Sequence, residues 1–172
     1  FYQTALALRY VHRCGYLHLD VKPSNIMVSR GVVKLIDFGV SVPLGVEPRS
    51  VAGTAGYLSP EQIVRDTVDA DTDIFALGVT FAVVFGAKPL HQEHEELEDK
   101  LTKMEARFHL ATIEKPFISE IPEARSVPAL HELIRECTIP KREKRVRDIE
   151  KVLTCLRRIA HDLDVELPEL DW

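Results

Sequence analysis

The chain has 172 residues, 45% of them apolar and 28% charged, which suits one globular domain burying roughly 70% of its unfolded surface. A net charge of −5 gives nucleic acid no electrostatic attraction, and no apolar run approaches the ~20 residues that cross a bilayer. Three widely spaced cysteines, Cys14, Cys137 and Cys155, argue against a disulfide framework or a zinc site and for buried thiols in a reducing, cytoplasmic compartment.

Residues 1–13 read as a helix already in progress. Phe1, Ala5, Leu8 and Val11-His12 share one face, nothing precedes Phe1 to cap it, and Gly15 suits the position just past its end. With neither an initiator Met nor a signal peptide at Phe1, the chain is expected to begin inside a longer protein. Ile26-Met27-Val28 and Val32-Val33-Lys34-Leu35-Ile36 read as two short strands, with Ser29-Arg30-Gly31 as the turn between them. Residues 40–52, with Pro43, Gly45 and Pro48 and poor periodicity, read as a loop.

Residues 71–81 open on an acidic cap and then turn apolar nearly all round, the pattern of a buried helix. Residues 92–107 are strongly polar: a solvated helix face, or a docking surface for a basic partner. Residues 108–127 are loop-like. Leu130, Leu133, Ile134 and Cys137 form one helical stripe, and Ile149, Val152, Leu153, Leu156, Ile159-Ala160 and Leu163 a longer one. The basic cluster between them, Lys141-Arg142-Glu143-Lys144-Arg145-Val146-Arg147, reads as a solvated corner with one ion pair, or else as a phosphate site. There are no internal repeats and no second domain.

The chemistry concentrates in His18-Leu19-Asp20-Val21-Lys22-Pro23-Ser24-Asn25, followed twelve residues later by Asp37-Phe38-Gly39. Phosphoryl transfer needs a carboxylate to orient and deprotonate the attacking hydroxyl, a cation on the transferred phosphate, and hard oxygen ligands for Mg²⁺. A hairpin after Asn25 brings Asn25 and Asp37 to adjacent strand ends, where they can share one metal. The two stretches resemble the catalytic loop H-R-D-L-x-x-x-N and the D-F-G of the protein kinases. Three more landmarks follow in order. Gly53-Thr54-Ala55-Gly56-Tyr57-Leu58-Ser59-Pro60-Glu61 resembles G-T-x-x-Y-x-[SA]-P-E, Asp73, Phe75, Ala76 and Gly78 meet D-x-[WFY]-[SA]-x-G, and Gly86-Ala87-Lys88-Pro89-Leu90 resembles the G-x-x-P-F that closes that helix. Residues 137–153 resemble C-x-x-x-D-P-x-x-R-P, with Arg145 at the arginine position.

The resemblance implies a mainly α (α+β) fold, the C-terminal lobe of the protein-kinase fold, with a small β-hairpin at the catalytic edge and the N-terminal lobe absent. Residues 1–163 would form the lobe, with catalytic loop 18–25 and activation segment 37–61, and residues 164–172 an acidic tail. It implies ATP-dependent phosphorylation of Ser or Thr on a protein substrate. Asp20 would serve as base, Lys22 at the γ-phosphate, and Asn25 and Asp37 as Mg²⁺ ligands. Thr54 would steady Asp20 and Lys22, and Ile26 and Val28 would floor the adenine pocket. His18 would pack on Phe38, Asp73 would hold the catalytic-loop backbone, and Arg145 would pair with Glu61. Residues 71–78 and Ser59-Pro60-Glu61 resemble the bacterial serine/threonine kinases more than the animal ones.

Two departures bear on this expectation. Leu19 replaces the Arg of H-R-D, which removes the guanidinium that holds a phosphate on the activation segment and points to constitutive folding or control by partners. Lys141-Arg142 replaces Asp-Pro, which is expected to loosen that turn. No Gly-rich loop, V-A-I-K lysine or helix-C glutamate is present, so the chain alone is expected to be inactive. Its edge near Ile26, Met27, Val28 and Leu35 would be left for a missing lobe or a partner to cover. The alternative is a lobe-only binding or scaffold module without catalysis.

Overall fold

The computed structural model describes residues 1–48, 50–88, 118, 121 and 126–168. The polar stretch 92–107, the prolines Pro116 and Pro122, Pro89-Leu90 and the end of the acidic tail at Trp172 lie outside the described residues. Among the described residues are five α-helices: α1 (Tyr2–Arg13), α2 (Pro60–Ile63), α3 (Ala70–Val84), α4 (Pro128–Cys137) and α5 (Ile149–Asp162). Four short strands make two antiparallel pairs, β1 (Tyr16–Leu17) with β4 (Val42–Pro43) and β2 (Ile26–Ser29) with β3 (Val32–Leu35). The mainly α reading with one small hairpin therefore holds, with one strand pair more than expected.

Helix α3 is the axis of the core. Its Ile74, Phe75, Leu77, Val79 and Phe81 are fully buried, as a helix without a polar face must be. Helices α4 and α1 pack against it, and α5 packs on α1 and α4. At Gly78 an added Cβ would sit 2.6 Å from the Cβ of Cys137, so the missing side chain is what lets α3 and α4 approach. The acidic cap is Asp69, two residues earlier than the sequence reading put it. Its carboxylate accepts from the Ala70 amide, and Thr72 donates from its amide to the Asp69 cap and accepts at Oγ1 from the Asp69 amide, 3.2 Å away.

The β2–β3 hairpin turns on Arg30 and Gly31, both at positive φ (49° and 78°), so Ser29 stays in the strand. Gln3 on α1 clamps the hairpin, donating to Gly31 O at 2.9 Å and accepting from the Val33 amide at 2.8 Å. Met27 and Val28 are exposed as expected, but Leu35 is buried because the hairpin lays it on the core.

Three further expectations are corrected. Residues 40–46 are not a featureless loop: Val42–Pro43 pairs with Tyr16–Leu17, and Val40, Val42, Leu44 and Val46 pack on buried Leu17, Leu19 and Val68. Leu163 does not continue the α5 stripe; it lies past the helix end and is exposed. The turn at Lys141-Arg142 is tied rather than loosened, because Arg142 forks onto Asp71 at 2.6 and 2.8 Å and donates to Thr67 O at 2.8 Å. Asp71 and hydrogen bonding hold the Arg142 guanidinium further above its ordinary pKa, against the opposing effect of burial.

Candidate active site

The loop between β1 and β2 is fixed from below by Asp73, on the first turn of α3 and wholly buried. Its carboxylate accepts from the amides of His18 and Leu19, both at 2.8 Å, and from His12 Nε2 at 2.9 Å. Thr80 adds a hydrogen bond to Val21 O at 3.1 Å. The α3 helix, with twelve of its fifteen residues buried, thus sets where residues 18–21 stand. The sequence marks His12 only as part of an apolar face; its ring, in the last turn of α1, is the third donor on Asp73.

Held this way, Asp20 points its carboxylate into a ring of donors. Thr54 Oγ1 donates to Oδ1 at 2.6 Å, and Lys22 Nζ lies 2.9 Å from Oδ2 and also donates to Thr54 Oγ1. Asn25 Nδ2 donates to both Asp20 O (2.8 Å) and Oδ2 (2.9 Å). Burial pushes the Asp20 carboxyl pKa up, but the hydrogen bonds from Thr54 and Lys22, the Lys22 charge and the Asn25 amide outweigh it, so the group sits below its ordinary 3.8. The result is a charged acceptor buried among donors.

Asn25 owes its place to a short turn. Proline at position 23 starts a single 3₁₀ turn, Pro23–Asn25, closed by the Asn25 amide on Lys22 O at 3.0 Å. With Nδ2 committed to Asp20, the Asn25 Oδ1 turns away from it. The hairpin register then sets Asn25 opposite the end of β3, where the Ile36 amide donates to Asn25 O at 2.9 Å and Asp37 follows. Asp37 is exposed at φ 63°, and its Oδ1 accepts from the Gly39 amide at 3.3 Å. One carboxylate and one carboxamide oxygen are the hard donors that suit Mg²⁺, which keeps water and phosphate as its other ligands. Among the described residues no three His, Cys, Asp or Glu side chains converge on a metal position.

His18 is buried and bridges two segments: Nδ1 accepts from the Asp20 amide at 3.2 Å, and Nε2 donates to Ile36 O at 3.0 Å. Its ring meets Phe38 edge-on with centroids 4.8 Å apart, so the expected His18–Phe38 contact is present. Ile26 is half-buried and Val28 is 68% exposed; they share one face of β2, leaving an apolar surface beside Asn25. Leu19, at φ 63° and 2% exposure, turns its side chain into the Leu17–Val68 cluster.

The other end of segment 37–61 is anchored by Glu61. Arg145 grips its carboxylate with two nitrogens at 2.7 and 3.1 Å and spends its remaining donors on the carbonyls of Asp71, Ile139 and Pro140. Thr72 Oγ1 donates to the same Glu61 at 2.9 Å. The expected pair is therefore formed and buried, and Arg142–Asp71 stands beside it as a further ion pair of the basic cluster.

The sequence model of the protein kinase domain matches residues 1–155. Among curated proteins the chain is 42% identical over 103 residues to an Aurora kinase of Candida glabrata, covering 58% of this chain and 29% of that protein. It is 39% identical over 129 residues to an Aurora kinase of Eremothecium gossypii, covering 71% of this chain and 35% of that one. It is 43% identical over 91 residues to the serine/threonine-protein kinase PknB of Mycobacterium tuberculosis, covering 48% of this chain and 14% of that protein. The chain thus spans at most 35% of the length of these relatives, and identity does not separate the fungal from the bacterial ones. A family model that spans nine-tenths of the sequence, over a site in which Asp20, Lys22, Asn25 and Thr54 converge, places the chain in the protein kinase family.

Proposed function

We propose that this chain is the C-terminal lobe of a serine/threonine protein kinase, and that the protein containing it transfers the γ-phosphoryl group of ATP to a Ser or Thr hydroxyl of a protein substrate. Residues 1–163 carry the lobe and residues 164–172 an acidic tail, in a protein of the reducing cytoplasm. The observation that carries this reading is the Asp20 carboxylate, kept charged by Thr54, Lys22 and Asn25.

Asp20 accepts the hydroxyl proton as the acceptor oxygen bonds to the γ-phosphorus, and the bond from that phosphorus to the β–γ bridging oxygen breaks, leaving ADP. Lys22, 2.9 Å from Asp20, is placed to neutralise charge on the transferring group. Asn25 and Asp37 would hold Mg²⁺, which supplies charge neutralisation at the phosphates when bound. Thr54 holds Asp20 and Lys22 at a fixed separation. Ile26 and Val28 offer the apolar floor for adenine, and a further segment of the protein or a partner would cover the nucleotide from the other side.

The test is phosphoryl transfer from labelled ATP to a Ser/Thr peptide by the full-length protein. Wild type is expected to transfer, and Asp20→Asn to lower turnover roughly 10²–10⁴-fold while remaining folded by circular dichroism. Near-normal turnover in Asp20→Asn would remove Asp20 as base. No transfer by wild type would favour a binding module that keeps the fold without catalysis.

A further inference from the structure

Gln62, the residue after Glu61, takes no part in the reading above, yet it is 2% exposed and its carboxamide makes three hydrogen bonds. Its Oε1 accepts from the Ser59 amide at 3.0 Å, which completes the cap of α2. Capping uses only that oxygen. The nitrogen faces the other way and donates twice, to Leu19 O at 3.0 Å and to Ala52 O at 2.7 Å. Leu19 immediately precedes Asp20, and Ala52 stands two residues before Thr54, so one side chain joins the two strands of chain whose ends meet in the 2.6 Å Thr54–Asp20 bond.

Two further features belong to the same junction. Gly53 lies at φ 118° against it: an added Cβ would stand 2.6 Å from Leu19 O and 3.1 Å from Gln62 Nε2. Only glycine lets the chain pass this close to the carbonyl that Gln62 holds. And the side chain of Leu19 is turned away into the Leu17–Val68 cluster, so no cation reaches across from the catalytic loop at that position.

We propose that Gln62 is a positioning residue for phosphoryl transfer. Its neutral amide, rather than a phosphorylated side chain, ties residues 18–25 to residues 50–56 and keeps Thr54 seated on Asp20. The proposal rests on the kinase reading for its catalytic consequence, but not for the bridge itself. A neutral bridge is permanent. It needs no modification to form, and it fixes the segment through backbone carbonyls that every sequence provides.

The full-length protein tests this with Gln62→Glu, which keeps the oxygen that caps Ser59 but sets an acceptor against two carbonyls. Gln62→Met, which removes cap and bridge together, decides by the same readings if the buried carboxylate prevents folding. Ser59→Ala is the control that weakens the cap and spares the bridge. Misplacing reacting groups by about 1 Å costs ~10²-fold, so kcat of Gln62→Glu is expected to fall ~10–10²-fold with KM for ATP within about twofold. Backbone amides of residues 41–56 should exchange with solvent roughly tenfold faster while those of α1 and α5 keep wild-type rates. Ser59→Ala should lose stability with kcat retained. Folded Gln62→Glu with wild-type kcat and exchange would overturn the proposal. If wild type transfers no phosphate, the kinase reading fails, and the exchange comparison still decides whether Gln62 is the bridge.

Discussion

Removing the Arg145 guanidinium should be among the costliest single changes in this fold. The side chain is wholly buried, and all five N–H groups are engaged: two on Glu61 and three on the carbonyls of Asp71, Ile139 and Pro140. Arg145→Met fills the stem volume over the Phe75 ring, where the guanidinium carbon now lies 4.9 Å from the centroid. It leaves Glu61 charged at 3% side-chain exposure beside the Thr72 hydroxyl, and it takes the guanidinium donors from the carbonyls of Asp71, Ile139 and Pro140. Breaking a buried pair from one side costs ~3–5 kcal/mol, which for a domain of this size is roughly 10 °C in Tm. The pair itself is worth far less than that, since two apolar residues of similar volume can replace it without loss. Urea unfolding followed by circular dichroism should therefore show Arg145→Met losing about 4 kcal/mol, and the double variant Glu61→Leu/Arg145→Met recovering the part due to the stranded Glu61 charge. A single-variant loss below ~1 kcal/mol, or a double variant worse than the single, would refute the reasoning.

Leu19→Arg, which restores the residue of the H-R-D pattern, should lose roughly 2 kcal/mol in urea unfolding, because it withdraws a 2%-exposed Leu from its cluster and supplies a guanidinium with no arranged partner. A raised midpoint would contradict this. Thr54→Val should raise the Asp20 pKa toward its ordinary value of 3.8. A carboxyl lowered by folding contributes stability above its unfolded pKa and loses it as pH falls through the folded one. The variant should therefore be less stable than wild type near neutral pH and begin to lose the Asp20 contribution at higher pH during acid titration; superimposable acid-unfolding curves would sink the idea. Gly78→Val should cost ~1–3 kcal/mol or more by forcing α3 and α4 apart, and unchanged stability would show that the helices separate freely.

The candidate site was legible because its chemistry is local in sequence. Asp20, Lys22 and Asn25 lie within six residues, and the hairpin that carries Asn25 to Asp37 follows from two apolar runs around a glycine turn. Glu61 and Arg145, 84 positions apart, were legible only through family resemblance, since no periodicity links them. Nothing local could announce Arg142–Asp71: the family pattern has no arginine there, and the pairing depends on how α3 and the α4–α5 turn dock. The β1–β4 pair was missed because two-residue strands have no measurable period, although the alternation Val40, Val42, Leu44, Val46 was in the sequence and does mark the face that packs inward. His12 was misjudged for a different reason. An imidazole on an apolar helix face carries no sign of the carboxylate that α3 will bring to it.

The close approach at Gly78 also gives the protein an internal clock. Cys137 presses its Cβ against that glycine, is fully buried, and has its thiol pushed up to about 12, chiefly by burial, whereas Cys14 is exposed at the end of α1. A thiol-directed reagent reacts with the thiolate and needs room to arrive. It should label Cys14 at once and Cys137 only in the moments when α3 and α4 come apart. The ratio of the two modified peptides, read by mass spectrometry against time, would measure how often the centre of the molecule opens under native conditions, with no engineered probe.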